Sequence, residues 1–409
     1  MKETVVPAAR PRHAYLLLLC GCMAVMASVL IAPNLPLMQS HFAAVPGADY
    51  LVPVTLTLPA LVVAVLSLFI GAAADRVGRK ALLVLGMALY ALFGTAPVWL
   101  DSLDLILASR LGVGLAEALI AICCTALIGD YYSGLQRDRY LALNTTFSSI
   151  SAVLFLGLGG VLGEYGWRTP FAVYAGSLAL MLAVSLMLWE PVRRVPAQDG
   201  GAGESEDEFS ASRQCLICLV TVLGAVLFMA IQVHIGYLME AVGVRSPAVI
   251  GGVAAAGQLA VVLGSLAFRV LLRMGTTTLL RLALSFGVPA VGFLIVGSAA
   301  TDRGVLAGVL VTGFGAGLML PTLLCWNMEG LPGRKRAFGT GAWMAAFFGG
   351  QFLTPLLVVG LSKAVGGVGA ALAWIGLAVL PAALILLVVA LAARKAAHEF
   401  SIGGGARRR

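Results

Sequence analysis

The fold class this sequence predicts is an all-α polytopic membrane protein with twelve spanning helices, on three observations. Of 409 residues, 60% are hydrophobic and 11% charged, against about a quarter charged in an ordinary soluble domain. The apolar residues gather into twelve runs, each close to the roughly 20 residues a helix needs to cross about 30 Å of hydrocarbon. The basic residues lie almost entirely in alternate connections between those runs, the asymmetry that orients membrane proteins.

In order, the runs are 14–38, 51–72, 81–100, 105–129, 141–163, 169–189, 214–239, 248–270, 278–299, 304–328, 338–362 and 370–392. The first exceeds the apolar core of a signal peptide and lacks a small-residue cleavage site, so it is expected to remain as a helix. Pro33, Pro36, Pro59, Pro321 and Pro355 fall inside runs and predict kinks, since neighbouring helices can satisfy the carbonyls that proline frees. If the N-terminus is cytoplasmic, that side collects 22 of the 27 Lys and Arg, the other side has four, and Arg110 lies within a helix. Both termini are therefore expected in the cytoplasm.

The stretch 190–213 divides the chain into an N-terminal six-helix bundle, 1–189, and a C-terminal bundle with a basic tail, 214–409. Its Pro, Gly and acidic residues, among them Glu204 to Glu208, cannot build a core and predict a solvated linker. The second half echoes the first. GAAADRVGRK from Gly71 matches GSLAFRVLLR from Gly264, pairing Arg76 with Arg269 and Lys80 with Arg273, and RDR at 137–139 matches RKR at 334–336. Two matches in the same order predict duplicated six-helix halves. Phe268 stands where the first copy has Asp75.

Charge concentrates between the second and third runs, in Asp75, Arg76, Arg79 and Lys80. Gly71 permits close helix approach and Gly78 a tight reversal, while the basic residues hold the connection at the membrane surface. In the fourth run Arg110, Gly114, Glu117, Ala121 and Thr125 recur at spacings that share one helical face. Glu117 is the only acid placed deep in a run, and such a residue faces a cavity or a partner because burial is costly. Arg110 and Glu117 are about 10 Å apart along the axis, too far for a direct pair. In the seventh run Gln232 shares a face with Thr221, Gly224 and Phe228, whereas His234 points away and reads as a packing residue. The seven Cys lie in apolar runs and read as small packing residues. No paired acids, metal cluster, nucleophile with base or phosphate loop stands at catalytic spacing, which argues against an enzyme.

These residues resemble a known family. The loop between helices two and three of major facilitator superfamily transporters reads roughly G-x-x-x-D-R-x-G-R-[KR], and Gly71, Asp75, Arg76, Gly78, Arg79 and Lys80 fill every slot. Arg110 and Gly114 match the R-x-x-x-G element of the fourth helix, with Val113 where many members have Gln. The chain looks more narrowly like the twelve-helix drug:proton antiporter group, although Phe155 and Leu156 replace the Gly-Pro of that group's fifth-helix motif before Gly159 and Gly160.

The resemblance implies two six-helix pseudo-repeat bundles working by alternating access, driven by a proton gradient and using no cofactor or metal. It implies a latch in which Asp75 meets the start of helix eleven near Gly339 to Gly341, joined by Asp130, Arg137 and Arg139. Proton coupling falls to Glu117 with Arg110. A central cavity draws on Asn34, Gly114, Gln232, Gln258, Trp326, Asn327, Phe347 and Gln351. The expected partners are a small-molecule substrate, protons and the lipid bilayer of a cell membrane, the inner membrane in bacteria, with no nucleic acid and a monomeric state. Efflux of a small amphipathic organic molecule is the leading expectation, and uptake of a sugar, organic acid or other metabolite by a symporter or facilitator is the alternative.

Overall fold

The structure, a computed structural model, describes residues 9–191, 210–329, 331 and 336–405, with the side chains of residues 68, 71, 72, 75, 336, 337 and 394–405 outside the description. The bulk of the linker, the Glu204 to Glu208 run, Arg334, Lys335 and the end of the basic tail therefore lie outside the described residues.

Twelve helical spans are present among the described residues. They are α1 (Pro11–His41), α2 (Ala48–Val77), α3 (Arg79–Thr95), α4 (Leu103–Tyr131), α5 (Gly134–Gly163), α6 (Gly176–Met187), α7 (Ala211–Ala241), α8 (Pro247–Arg273), α9 (Thr278–Gly297), α10 (Asp302–Met328), α11 (Arg336–Val365) and α12 (Val368–Gly405). Each predicted run lies on one of them. Three local departures have physical causes. α1 breaks into a 3₁₀ turn at Ala32–Asn34, where Pro33 and Pro36 remove two amide donors from the ladder. A 3₁₀ segment, Thr169–Ala175, leads into α6, with Pro170 at its start. α5 begins seven residues before the apolar run because its polar first turns, including Arg137 and Arg139, project beyond the core and remain exposed.

Packing repeats from half to half. In the first, α1 packs on α4 and α5, α2 on α4, and α3 on α4 and α6; in the second, α7 packs on α10 and α11, α8 on α10, and α9 on α10 and α12. Advancing every label by six converts one set into the other, which is the pattern duplication produces. The halves meet chiefly along α2 with α11 and α5 with α8, the same contact related by that repeat.

Adjacent glycines make one of these joints. A Cβ on Gly159 would lie 1.9 Å from the carbonyl oxygen of Leu30, at the break in α1, and one on Gly160 would lie 2.5 Å from that of Pro247 in α8. Successive helix residues point about 100° apart, so the pair lets α5 approach two neighbours at backbone distance. Connections after α2, α4, α6, α8 and α10 lie on one face of the bundle, the Gly78 face, and those after α1, α3, α5, α7, α9 and α11 lie on the other, the Glu164 face.

Candidate functional site

At the Gly78 face, the expected loop is a single residue. α2 continues through Asp75 and Arg76 to Val77, and α3 starts at Arg79. Gly78 alone turns the chain, with φ 113° and ψ 137°, a backbone region that a side chain would strain. The first orphan amides of α3 are then satisfied by a residue the sequence reading passed over. Glu190, just after α6, accepts from the Arg79 N–H at 2.6 Å and the Lys80 N–H at 3.0 Å. The Arg79 guanidinium pairs with Asp130 of α4 at 2.5 Å, and the Lys80 ammonium donates to the Ser185 carbonyl at 2.9 Å. Of the other expected latch residues, Arg137 pairs with its neighbour Asp138 at 3.4 Å, Arg139 is exposed, and the Asp75 side chain lies outside the described set.

The opposite end of α3 is held by Arg110, whose side chain is buried within the first half. Its Nη2 donates to the Phe93 and Gly94 carbonyls at 2.9 and 3.2 Å, near the helix C-terminus where carbonyls lack partners. The guanidinium also lies 5.1 and 5.3 Å from the ring centroids of Phe171 and Tyr174. A carboxylate at the N-terminus and a cation at the C-terminus both complement the α3 macrodipole. The second half keeps a related cross-tie: Arg281 of α9 faces Glu329 at 3.6 Å and stacks 5.7 Å from the Phe268 ring, the residue in the acid slot.

Glu117 lies near mid-span in α4, only 5% exposed, and its Oε2 is buried with no hydrogen-bond partner. No ion pair joins it to Arg110. Gly114, on the same face, is a packing residue: a Cβ there would meet the Pro59 carbonyl at 2.7 Å, so α2 and α4 touch at this point.

The expected cavity residues separate into two groups. Gln232 of α7 and Gln258 of α8 line one cleft, together with Phe228, Leu156, Val309 and Thr312. The remainder are spread through helix contacts. Asn34 donates to the Gly159 carbonyl at 2.8 Å and fastens the α1 break to α5. Asn327 accepts from Gln214 at 2.9 Å, and the Trp326 carbonyl accepts from Arg213 at 3.3 Å, tying α10 to α7. Gln351 is buried in α11. Phe347 stacks on Trp343 at 5.6 Å and touches Phe228 at 5.8 Å, so it buttresses the cleft through Phe228. His234 is fully buried, with Nδ1 2.9 Å from the Ala230 carbonyl.

The Glu164 face carries two ties between the halves, one at each joint. Asp49 at the start of α2 pairs with Lys363 near the end of α11 at 2.6 Å, and Lys363 lies 4.4 Å from the Tyr50 ring. Glu164, after α5, accepts from the Ser246 hydroxyl and from the Ala248 N–H at 3.0 Å, capping α8 from across the joint. These two hydrogen bonds hold the Glu164 carboxyl below the ordinary glutamate range. A lowered folded pKa means the tie is fully present above that range and is lost as pH falls through the lowered value. Spin labels at Tyr165 and Arg245, both exposed, should keep one short distance on acidification to the ordinary glutamate range, whereas Glu164→Gln should broaden it at neutral pH. An unchanged distance in the variant would show that the tie does not hold this face.

A profile described as the Major Facilitator Superfamily matches residues 17–355. The chain belongs to the Major Facilitator Superfamily. Among curated relatives it is 30% identical over 131 residues to Multidrug resistance protein 1 of Bacillus subtilis (strain 168), over 31% of this chain and 32% of that protein. It is 25% identical over 165 residues to the class H tetracycline resistance protein of Pasteurella multocida, over 40% of this chain and 41% of that protein. The matched stretch thus spans about a third and about two fifths of those relatives' lengths. Among solved structures, a bacterial homolog of the human lysosomal transporter Spinster superposes with TM-score 0.73 at 16% identity, over 94% of this chain and 96% of that one. Membership of this superfamily, with twelve helices long and apolar enough to span a membrane among the described residues, makes the chain a multi-pass membrane transporter and not an enzyme.

Within this major facilitator chain, the residues that sequence reasoning missed are Glu190, Glu164, Ser246, Asp49 and Lys363. Each is a charged or capping residue at a helix end whose partner is distant in sequence. One signal was available for Glu190, an acid at a span end directly before Pro191.

Proposed function

We propose that this transporter couples export of a small amphipathic organic molecule to inward movement of protons, with Glu117 as the proton carrier. The observation that carries this reading is a carboxyl buried near mid-span with an oxygen that has no hydrogen-bond partner among the described residues. A buried ionisable residue in a spanning helix is costly to keep, and a carboxyl crosses an apolar environment most readily as the neutral acid. The partial similarity to two resistance proteins supports export.

In this reading the Gly78 face is cytoplasmic. Asp75, on the last turn of α2, braces the start of α11 when that face is closed, while Glu190 and Asp130 hold the connection around Gly78 in shape. The Asp49 and Glu164 ties hold the outer face when it is closed. Their carboxylates are exposed, and water screens and competes for exposed charged contacts, so they can break and re-form during turnover. Arg110 serves the fold of α3 rather than the proton. Substrate enters the cleft of Gln232 and Gln258, and loading it displaces the proton from Glu117.

Proton release on ligand binding tests the assignment. Purified protein in weakly buffered solution, titrated with a ligand found by a thermal-shift screen of antibiotics and metabolites, is expected to acidify a pH indicator. Glu117→Gln should bind the same ligand without that acidification; equal release by the variant would remove Glu117 from the mechanism.

A further inference from the structure

We infer that the cleft between α7, α8 and α10 selects an uncharged molecule carrying an amide, hydroxyl or carbonyl group on an apolar body, with Gln232 and Gln258 as the groups that read it. The inference rests on the reading of this cleft as the substrate site. None of its lining residues is ionisable. Gln232 and Gln258 are both half-buried, and neither carboxamide is hydrogen-bonded to another described residue. Each offers an N–H₂ donor pair and a carbonyl acceptor, so together they can satisfy a ligand group that both donates and accepts.

Aliphatic and aromatic side chains make the rest of the wall, including Phe228, Ile231, Ile235 and Val261. A permanent cation placed there would lose hydration with no carboxylate in the lining to replace it, whereas a neutral amide exchanges its water for two carboxamides. The buried acid, Glu117, sits on α4 and is not part of this wall. The location also suits a moving site. Leu156 comes from α5 and the other lining residues from the second half, and Gln258 lies two helical turns beyond Gly251, where α8 crosses α5 at backbone distance. Relative motion of the halves therefore opens and closes the cleft at its Leu156 edge.

A matched pair of probes tests the charge preference. N-benzylbenzamide is neutral and carries one carboxamide; dibenzyldimethylammonium has a similar apolar body and a fixed positive charge. Binding of each to purified protein in nanodiscs, corrected for partition into empty nanodiscs, is expected to favour the amide at least tenfold. Gln232→Leu combined with Gln258→Leu should lose at least tenfold in amide affinity with cation binding unchanged, since a group built to hydrogen-bond a ligand discriminates through the partners left unpaired. If the folded double variant retains amide affinity, or the cation binds as tightly as the amide, the inference is overturned. Gln232→Asn with Gln258→Asn, which keep the amide chemistry, should retain more amide affinity than the Leu pair; equal loss in both pairs would make the glutamines packing residues and overturn it as well. Repeating the amide titration in Glu117→Gln separates this inference from the export reading. Binding that persists there while proton release is unchanged refutes the coupling assignment and leaves the cleft assignment standing.

Discussion

Glu117→Gln is expected to abolish accumulation driven by a pH gradient while leaving downhill exchange within a few-fold of wild type. Glutamine preserves the size of the side chain and removes its titratable proton, so any step that requires protonation and release at this position stops. The surroundings make the substitution a clean probe. Glu117 is packed inside the first half, its Oε2 engages no protein group, and Arg110 is occupied at the end of α3, so no ion pair is broken. The check is transport by liposomes holding equal amounts of folded wild type and variant, with and without the gradient. Gradient-driven accumulation by the variant would place the proton elsewhere, with His234 the next ionisable group because it too is buried in a span and has an unpartnered ring nitrogen. A variant that fails to fold would assign Glu117 a packing role.

Arg110→Ala is expected to lower the yield and thermal stability of folded protein rather than to alter coupling selectively. The side chain is 1% exposed, and its loss strands the Phe93 and Gly94 carbonyls, at about 1 to 3 kcal/mol for each unsatisfied group, besides opening a void between α3, α4 and the Phe171 and Tyr174 rings. A destabilisation of about 2 to 6 kcal/mol follows from the carbonyls alone. Arg110→Lys keeps a cation at the end of α3 but loses the planar guanidinium, which lies against the two rings while its Nη2 reaches both carbonyls, so it should fall between. Thermal unfolding of the purified proteins measures this. Wild-type stability in Arg110→Ala combined with lost coupling would return Arg110 to the proton pathway.

Much of the fold was legible because the bilayer imposes a coarse rule on sequence. Each run needs length and apolarity, and the twelve runs satisfy both irrespective of their packing partners. The break in α1 was legible as a kink at Pro33 and Pro36, yet its anchoring by Asn34 to Gly159 was not, because that bond joins residues 125 positions apart. The candidate site divides along the same line. Gln232 and Gln258 could be picked out as polar residues in apolar runs, and they meet in one cleft. Gly114 shares a face with Glu117, but helical spacing cannot say which neighbour that face meets, and the structure puts α2 against it. Asn327 looked equally suited to a cavity and is occupied by Gln214. The Gly78 connection was legible as a motif, whereas its dependence on Glu190 arises only once α6 returns beside the start of α3.

The direction of proton movement during exchange separates antiport from symport. Liposomes preloaded with a ligand identified by the thermal-shift screen, containing an internal pH dye and oriented with the Gly78 face inward, are diluted into ligand-free medium. Export of ligand down its own gradient should acidify the interior, because protons enter as ligand leaves, and Glu117→Gln liposomes should release ligand without that acidification. Alkalinisation of the interior during ligand exit would mean that protons travel with the ligand, and would contradict antiport in favour of symport.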